Sequence, residues 1–272
     1  MRASQSKLAR ANFNVKMSTL SALPIPDYCQ VEHYYGVTAY WFASNFTQSR
    51  YPNNQESSQA CTLICLLVSS GVAQAKLHIG PESYNDLLTQ VIAESIISGN
   101  RAYDRIMCRR LVKHHHLSVT DALKYCCPEL CHMREWKWNV YHDNFEEQLV
   151  VNMNWFLEQW DRLDWQPDYL FMVLISNGRT VLFIFPKATK SAIFFDSHGH
   201  PDPNGSHSNS GRGIVVAQTA RQNLEILVEW FIFKVIRPYT NANPVNYELA
   251  CLYYTRKSSC ERSCHHDCSC SH

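Results

Sequence analysis

An Asn-Gly pair between two apolar, β-branched runs is the strongest short-range hairpin signal a sequence can carry. Asp168–Ser176 and Arg179–Pro186 flank Asn177-Gly178 in this way, and a third run, Ser191–Phe195, follows closely. The later part of the chain is therefore a meander of antiparallel strands. Elsewhere the period is helical. Residues 59–73 are apolar nearly all round, as in a buried helix, and the Ser residues of the polar stretch 44–58 before them suit an N-cap. Residues 83–107 carry apolar side chains at spacings of three and four, an amphipathic helix. Shorter helical patterns cover 118–126 and 146–163, and 220–236 reads as a closing apolar helix. Tyr34–Ala43 suits a strand or a core-packed loop. Helices first and strands later, with no internal repeat, predict an α+β fold on a largely antiparallel sheet.

Composition narrows the function. The chain has 272 residues, 46% of them hydrophobic and 18% charged, with a formal net charge of +1. That balance offers no electrostatic footprint for nucleic acid. Nine glycines, none in a dinucleotide or P-loop frame, argue against a nucleotide-driven enzyme. The longest apolar runs are about seven residues, against the ~20 a membrane span needs. Twelve cysteines without an N-terminal apolar segment suggest an intracellular protein, in cytoplasm or nucleus, with reduced thiols. We divide the chain into a flexible lead-in (1–33), a main domain (34–245) and a Cys/His-rich tail (246–272).

Two short patterns carry chemistry. Asp196-Ser-His198 closes the third strand run, and residues two apart on a strand share a face. A carboxylate beside an imidazole fixes its tautomer and stabilises its protonated form. Cys61 opens the buried helix. A thiol in a first helical turn feels the positive end of the helix, which favours thiolate, and its N–H is free to donate to an oxyanion. Cys65, one turn later, has neither advantage.

Gln48 lies thirteen residues before Cys61, and an apolar segment, Gly213-Ile-Val-Val, and a helix follow Phe194-Phe-Asp-Ser-His-Gly-His200. In these motifs and their order the chain resembles the deubiquitinating cysteine peptidase domain of herpesvirus large tegument proteins, a papain-like family, over roughly residues 36–237. The autophagy-type and ubiquitin-fold-modifier proteases share the Asp-x-His spacing. The resemblance implies a helical half packed on a largely antiparallel sheet. It also implies Cys61 as nucleophile, His198 as general base, Asp196 as its orienter and Gln48 as oxyanion donor. Gln59 and Gln55 are alternative amides, because Gln59-Ala60 directly precedes Cys61 and the loop holds no glycine. The implied partner is ubiquitin or a ubiquitin-like modifier, with no cofactor and no metal.

Other clusters are read more plainly. Cys260–His272 holds zinc-type ligands but lacks two separated pairs, so it is taken as a low-complexity tail. Cys126-Cys-Pro-Glu-Leu-Cys131-His132 is half a zinc pattern, read as buried thiols at a helix end. His114-His-His116 is read as a solvated basic turn, Trp155, Trp160 and Trp165 as core, and His200 as a reserve base. A non-catalytic interaction module built on the same fold is the competing reading.

Overall fold

Asn177 and Gly178 both take positive φ, 49° and 73°, the combination a two-residue hairpin turn of the strand-matching hand requires. Around that turn β4 (Tyr169–Ser176) pairs antiparallel with β5 (Arg179–Pro186) from Ser176 opposite Arg179 to Tyr169 opposite Pro186. β6 (Ser191–Asp196) and β7 (Arg212–Ala220) continue the meander. The structure, a computed structural model, describes residues 25–52, 57–126, 129–201, 211–239 and 244–256.

Four more strands extend the meander. These are β1 (Tyr28–Tyr34), β2 (Val37–Ala43), β3 (Met133–Tyr141) and β8 (Tyr247–Tyr254), giving one eight-stranded sheet in the order β1-β2-β7-β6-β5-β4-β8-β3. Every ladder is antiparallel. The sequence reading missed β1, β3 and β8 as strands. β1 is an exposed edge, and a bulge between Glu135 and Lys137 breaks the alternation of β3. β8 looks like the start of the tail until its pairing with β3 and β4 is seen.

Helices cover both faces of the sheet. On one lie α1 (Cys61–Ala75), α2 (Asp86–Cys108) and α3 (Val119–Tyr125), packed on Phe171, Leu182, Ile184, Ile193 and Phe195. On the other lie α4 (Phe145–Asp161) and α5 (Leu224–Phe231, continued by a π-helical turn), packed on Trp41, Met172, Phe183, Phe185 and Phe194. Double coverage explains why β4 and β5 are apolar at almost every position rather than at alternate ones. α1 and α2 cross very closely. A Cβ on Gly71 would sit 2.6 Å from Val91, and one on Gly99 would sit 2.6 Å from Ile64, so each helix gives up a side chain where the other protrudes.

Two expectations need correction. Trp160 is buried, but Trp155 and Trp165 are 49% and 51% exposed, because α4 turns only one stripe to the sheet and Trp165 lies beyond its end. The Ser residues before α1 are not its N-cap: Ala60 holds that position without a capping side chain, while Ser58 Oγ accepts from the Ala60 N–H at 3.2 Å. The Cys/His-rich stretch Cys260–His272, read as a low-complexity tail, and the alternative amide Gln55 lie outside the described residues.

Candidate active site

The site is assembled from two element ends and the braces between them. Asn85, Ser118 and Asn144 cap α2, α3 and α4 with side-chain oxygens. α1 starts without such a cap, and its first intrahelical bond is Ile64 N–H to Ala60 O, 2.9 Å. The N–H groups of a helix's first turn have no partner within the helix, and Cys61 stands at that turn.

β6 delivers the second half. Phe194 packs on the aromatic face and Phe195 on the α1 face, so Asp196 is rooted on the side of the sheet away from α1. Beyond the strand end the chain curls back. The Asp196 Oδ1 accepts from the His198 backbone N–H at 2.9 Å and lies 2.6 Å from its Nδ1. With Nδ1 held by the carboxylate, Nε2 is left for sulfur, and Cys61 acts on the imidazole to raise its pKa. The expected strand-wise alignment of 196 and 198 is replaced by this local turn, in which one carboxylate oxygen holds both backbone and ring.

The electrostatics separate Cys61 from the other buried cysteines, Cys65, Cys126 and Cys251. Burial pushes the Cys61 thiol up, but the His198 hydrogen bond and charge, with hydrogen bonds from Thr180, outweigh it and leave the thiol below its ordinary value. Burial holds Cys65 well above that value and lifts Cys126 to about 12. For His198, burial pushes down and the charge and hydrogen bond of Asp196 push up, with a net rise. Asp196 is fully buried. Desolvation acts against its charge, and Arg179 foremost, then His198, holds it far below the usual carboxylate range.

Arg179 and Thr180 were not singled out in the sequence. Arg179 Nε is 3.1 Å from Asp196 Oδ2, with the arginine side chain 3% exposed. Thr180 Oγ1 is 2.9 Å from Thr62 Oγ1. The available signal was a charge heading a strand whose next seven residues are otherwise apolar or Thr. Asn100 also went unnoticed. It is a buried polar residue on the apolar stripe of α2, donating Nδ2–H to Gln48 O at 2.8 Å and accepting from Ser58 Oγ at 2.6 Å.

Gln48 is buried between these parts. Its backbone N–H donates to Ser197 O at 2.8 Å, its Oε1 accepts from Ser197 Oγ at 2.8 Å, and its Nε2 donates to Ser58 O at 2.8 Å. The second Nε2 hydrogen has no partner among the described residues. Gln59 is half-buried beside Cys61. His200 lies on the other oxygen of Asp196, its Nε2 3.7 Å from Oδ2, too far for a hydrogen bond. Burial presses its pKa down to about 3, which keeps it neutral.

The fold that holds these residues has a counterpart among solved structures. The fold is similar to the crystal structure of the ubiquitin-specific protease encoded by murine cytomegalovirus tegument protein M48, which was determined with a ubiquitin-based suicide substrate. The TM-score is 0.50 at 12% identity, over 81% of this chain and 88% of that one. The chain has the fold of the tegument ubiquitin-specific protease. No family model and no curated protein matches the sequence.

In one respect this tegument-protease fold differs from the expected open groove. Cys61 is only 4% exposed and the His198 side chain 17%. A cavity of about 350 Å³ lies farther along α1, lined by Ser70, Gln74, Glu94 and His132, and touches none of the residues above. His114–His116 are exposed, as expected of a solvated turn. Cys126 is buried at the end of α3 and Cys131 half-buried. Among the described residues no three His, Cys, Asp or Glu side chains are grouped to hold a metal, and no helix is long and apolar enough to cross a membrane.

Proposed function

We propose that this protein is a cysteine peptidase that cleaves the peptide or isopeptide bond after the C-terminal Gly-Gly of ubiquitin or a ubiquitin-like modifier. The observation that carries the reading is the succession of thiol, imidazole and buried carboxylate, with Cys61 the one buried cysteine among the described residues whose thiol is shifted toward thiolate. A reducing intracellular setting suits such a group.

In this reading the Cys61 thiolate attacks the scissile carbonyl carbon, and the carbonyl π electrons move onto oxygen. The Cys61 N–H and the unpartnered hydrogen of Gln48 Nε2 donate to that oxyanion. His198, protonated by the thiol, gives the Nε2 proton to the leaving amine as the C–N bond breaks. It then takes a proton from water, whose oxygen attacks the thioester and returns sulfur as the leaving group. Asp196 keeps the ring oriented throughout and stabilises its protonated form. The flexible Gly-Gly tail is the part of a modifier slim enough to reach so enclosed a sulfur.

The test is covalent capture. A ubiquitin C-terminal electrophile, under reducing conditions, is expected to add one equivalent to Cys61, to fail on Cys61→Ala and to be unaffected by Cys65→Ala. A panel of other modifier probes, including those of the autophagy type, identifies the preferred modifier. The near-complete enclosure of Cys61 favours a second reading, an interaction module on a peptidase fold. Under it no probe reacts and Cys61→Ala retains partner binding.

A further inference from the structure

Neighbouring residues on a strand point to opposite faces. Thr180 has the parity of Leu182 and Ile184, which pack beneath α1, and Arg179 has the parity of Val181 and Phe183, which pack beneath α4 and α5. Asp196 is rooted on the Arg179 side and Cys61 on the Thr180 side. The dipeptide therefore straddles the sheet at the place where the thiol and carboxylate, on opposite faces, are joined only by the His198 ring.

We propose that Arg179 and Thr180 are positioning residues, Arg179 holding the Asp196 carboxylate on one face of the sheet while Thr180 holds the Cys61 sulfur on the other. The inference rests on the peptidase reading above and adds that the β4–β5 hairpin sets the spacing of its groups. On the carboxylate side, Arg179 Nε contacts Oδ2 at 3.1 Å, leaving Oδ1 to His198, so each oxygen has its own cationic or potentially cationic partner. Arg179 Nη2 lies 3.5 Å from Gly199 O, linking the same guanidinium to the chain just past the ring. On the sulfur side, Thr180 acts to lower the pKa of the Cys61 thiol, its hydroxyl lies 2.9 Å from that of Thr62, the residue next to Cys61, and Thr180 O accepts from Cys65 Sγ at 3.7 Å. The Thr62 hydroxyl has one hydrogen and two acceptors, Leu117 O and Thr180 Oγ1, both at 2.9 Å. When sulfur is a thiol, Thr62 donates to Leu117. When sulfur is a thiolate, Thr180 turns its hydrogen to sulfur and Thr62 donates to Thr180. The hydroxyl pair thus serves both states of the nucleophile without moving a heavy atom.

Among the described residues, the titratable or charged groups facing this network are Arg179 from β5, His198 and His200 beyond β6, Arg212 of β7 near His200, and Cys61 and Cys65 from α1, with Tyr103 of α2 near Cys61. Without Arg179, burial acts on Asp196 with one fewer counter-charge. The carboxyl then protonates at higher pH, and the thiolate–imidazolium pair collapses with it.

The experiment is the pH dependence of Cys61 alkylation by iodoacetamide in the full chain, read by mass spectrometry, which needs no substrate. Hydrolysis of a fluorogenic ubiquitin C-terminal amide is followed alongside, with thermal melts to certify folding. Arg179→Gln is expected to move the acid limb of the alkylation profile up by about one unit or more, and Arg179→Lys by less. Thr180→Val is expected to move it upward by a smaller step, with Thr180→Ser restoring it. Folded Arg179→Gln and Thr180→Val proteins whose profiles superimpose on wild type overturn the proposal while leaving the peptidase reading intact. If either fails to fold, an unmoved profile in Arg179→Lys overturns it equally. A wild-type profile like that of an ordinary free thiol overturns both.

Discussion

The two faces of the sheet are built from different materials. Beneath α4 and α5 the packing is aromatic: Trp41, Phe183, Phe194, Trp230 and Phe231 meet edge-on or tilted, with Phe194 and Phe231 centroids 4.9 Å apart. Beneath α1 it is mostly aliphatic, with Leu63, Ile64, Leu66, Ile193 and Ile214. Aromatic pairs bring large buried area and fixed geometry. The aliphatic face instead admits small polar groups near Cys61: Thr62, Thr180, Asn100 and Gln48, all buried. The proposed catalytic groups sit at the seam, anchored on the aromatic face through Asp196 and on the aliphatic face through Cys61, which is itself only 4% exposed.

The largest effect that would break this contrast is at the seam. Asp196→Asn is expected to lower turnover of a fluorogenic ubiquitin amide by about 10³–10⁴-fold in the folded fraction, since the ring loses its tautomer and its counter-charge. It also leaves Arg179 buried without its carboxylate partner, so stability falls too. Phe194→Ala, on the aromatic side of the same strand, should do the reverse. A cost of about 3–5 kcal/mol in urea unfolding is expected for a fully buried Phe, with the pH profile of the surviving folded enzyme unchanged. An altered profile there would show that the faces are not separable.

A third effect concerns His200. Its folded pKa lies near 3, below the ordinary 6.5, so the unfolded chain binds this proton first as pH drops. The stability it contributes is complete above pH 6.5 and is lost progressively from there toward 3. His200→Phe should flatten the decline of the urea midpoint between pH 6.5 and 4, and an unaltered slope would contradict the burial argument. Asp196, depressed by Arg179 and His198, adds a loss confined to pH below its ordinary 3.8. Smallest is Trp155→Ser on the outer side of α4, expected to change stability by within about 0.5 kcal/mol and turnover not at all.

What could be read from residues alone follows interaction range. The β4–β5 hairpin and the helix opened by Cys61 are local patterns, and each was legible; the Asp-x-His pair was picked out, but the turn that joins it was not. β3 pairs with β8 more than a hundred residues away, and neither strand announces itself by clean alternation. At the site, Cys61, Asp196 and His198 drew notice because a thiol, a carboxylate and an imidazole stood at recognisable element ends, and Gln48 because of the family resemblance; the fold brings the four into one cluster, and their catalytic roles belong to the proposal above. Arg179, Thr180 and Asn100 were not, because an arginine heading a strand or an asparagine on an apolar stripe acquires meaning only from its neighbours across the fold. The enclosure of Cys61 was equally hidden, since exposure belongs to the assembled surface.

The missing side chain at Gly99 has a reach beyond its own helix. Ile64, which fills that gap, stands one turn after Cys61, and even its backbone N lies within 3.4 Å of where a methyl group at 99 would be. Alanine there would lift the opening turn of α1 off its neighbour and draw sulfur away from the imidazole. A substitution of a single methyl group, on a helix that contributes no reacting atom, would then register first as lost thiolate and only second as lost fold.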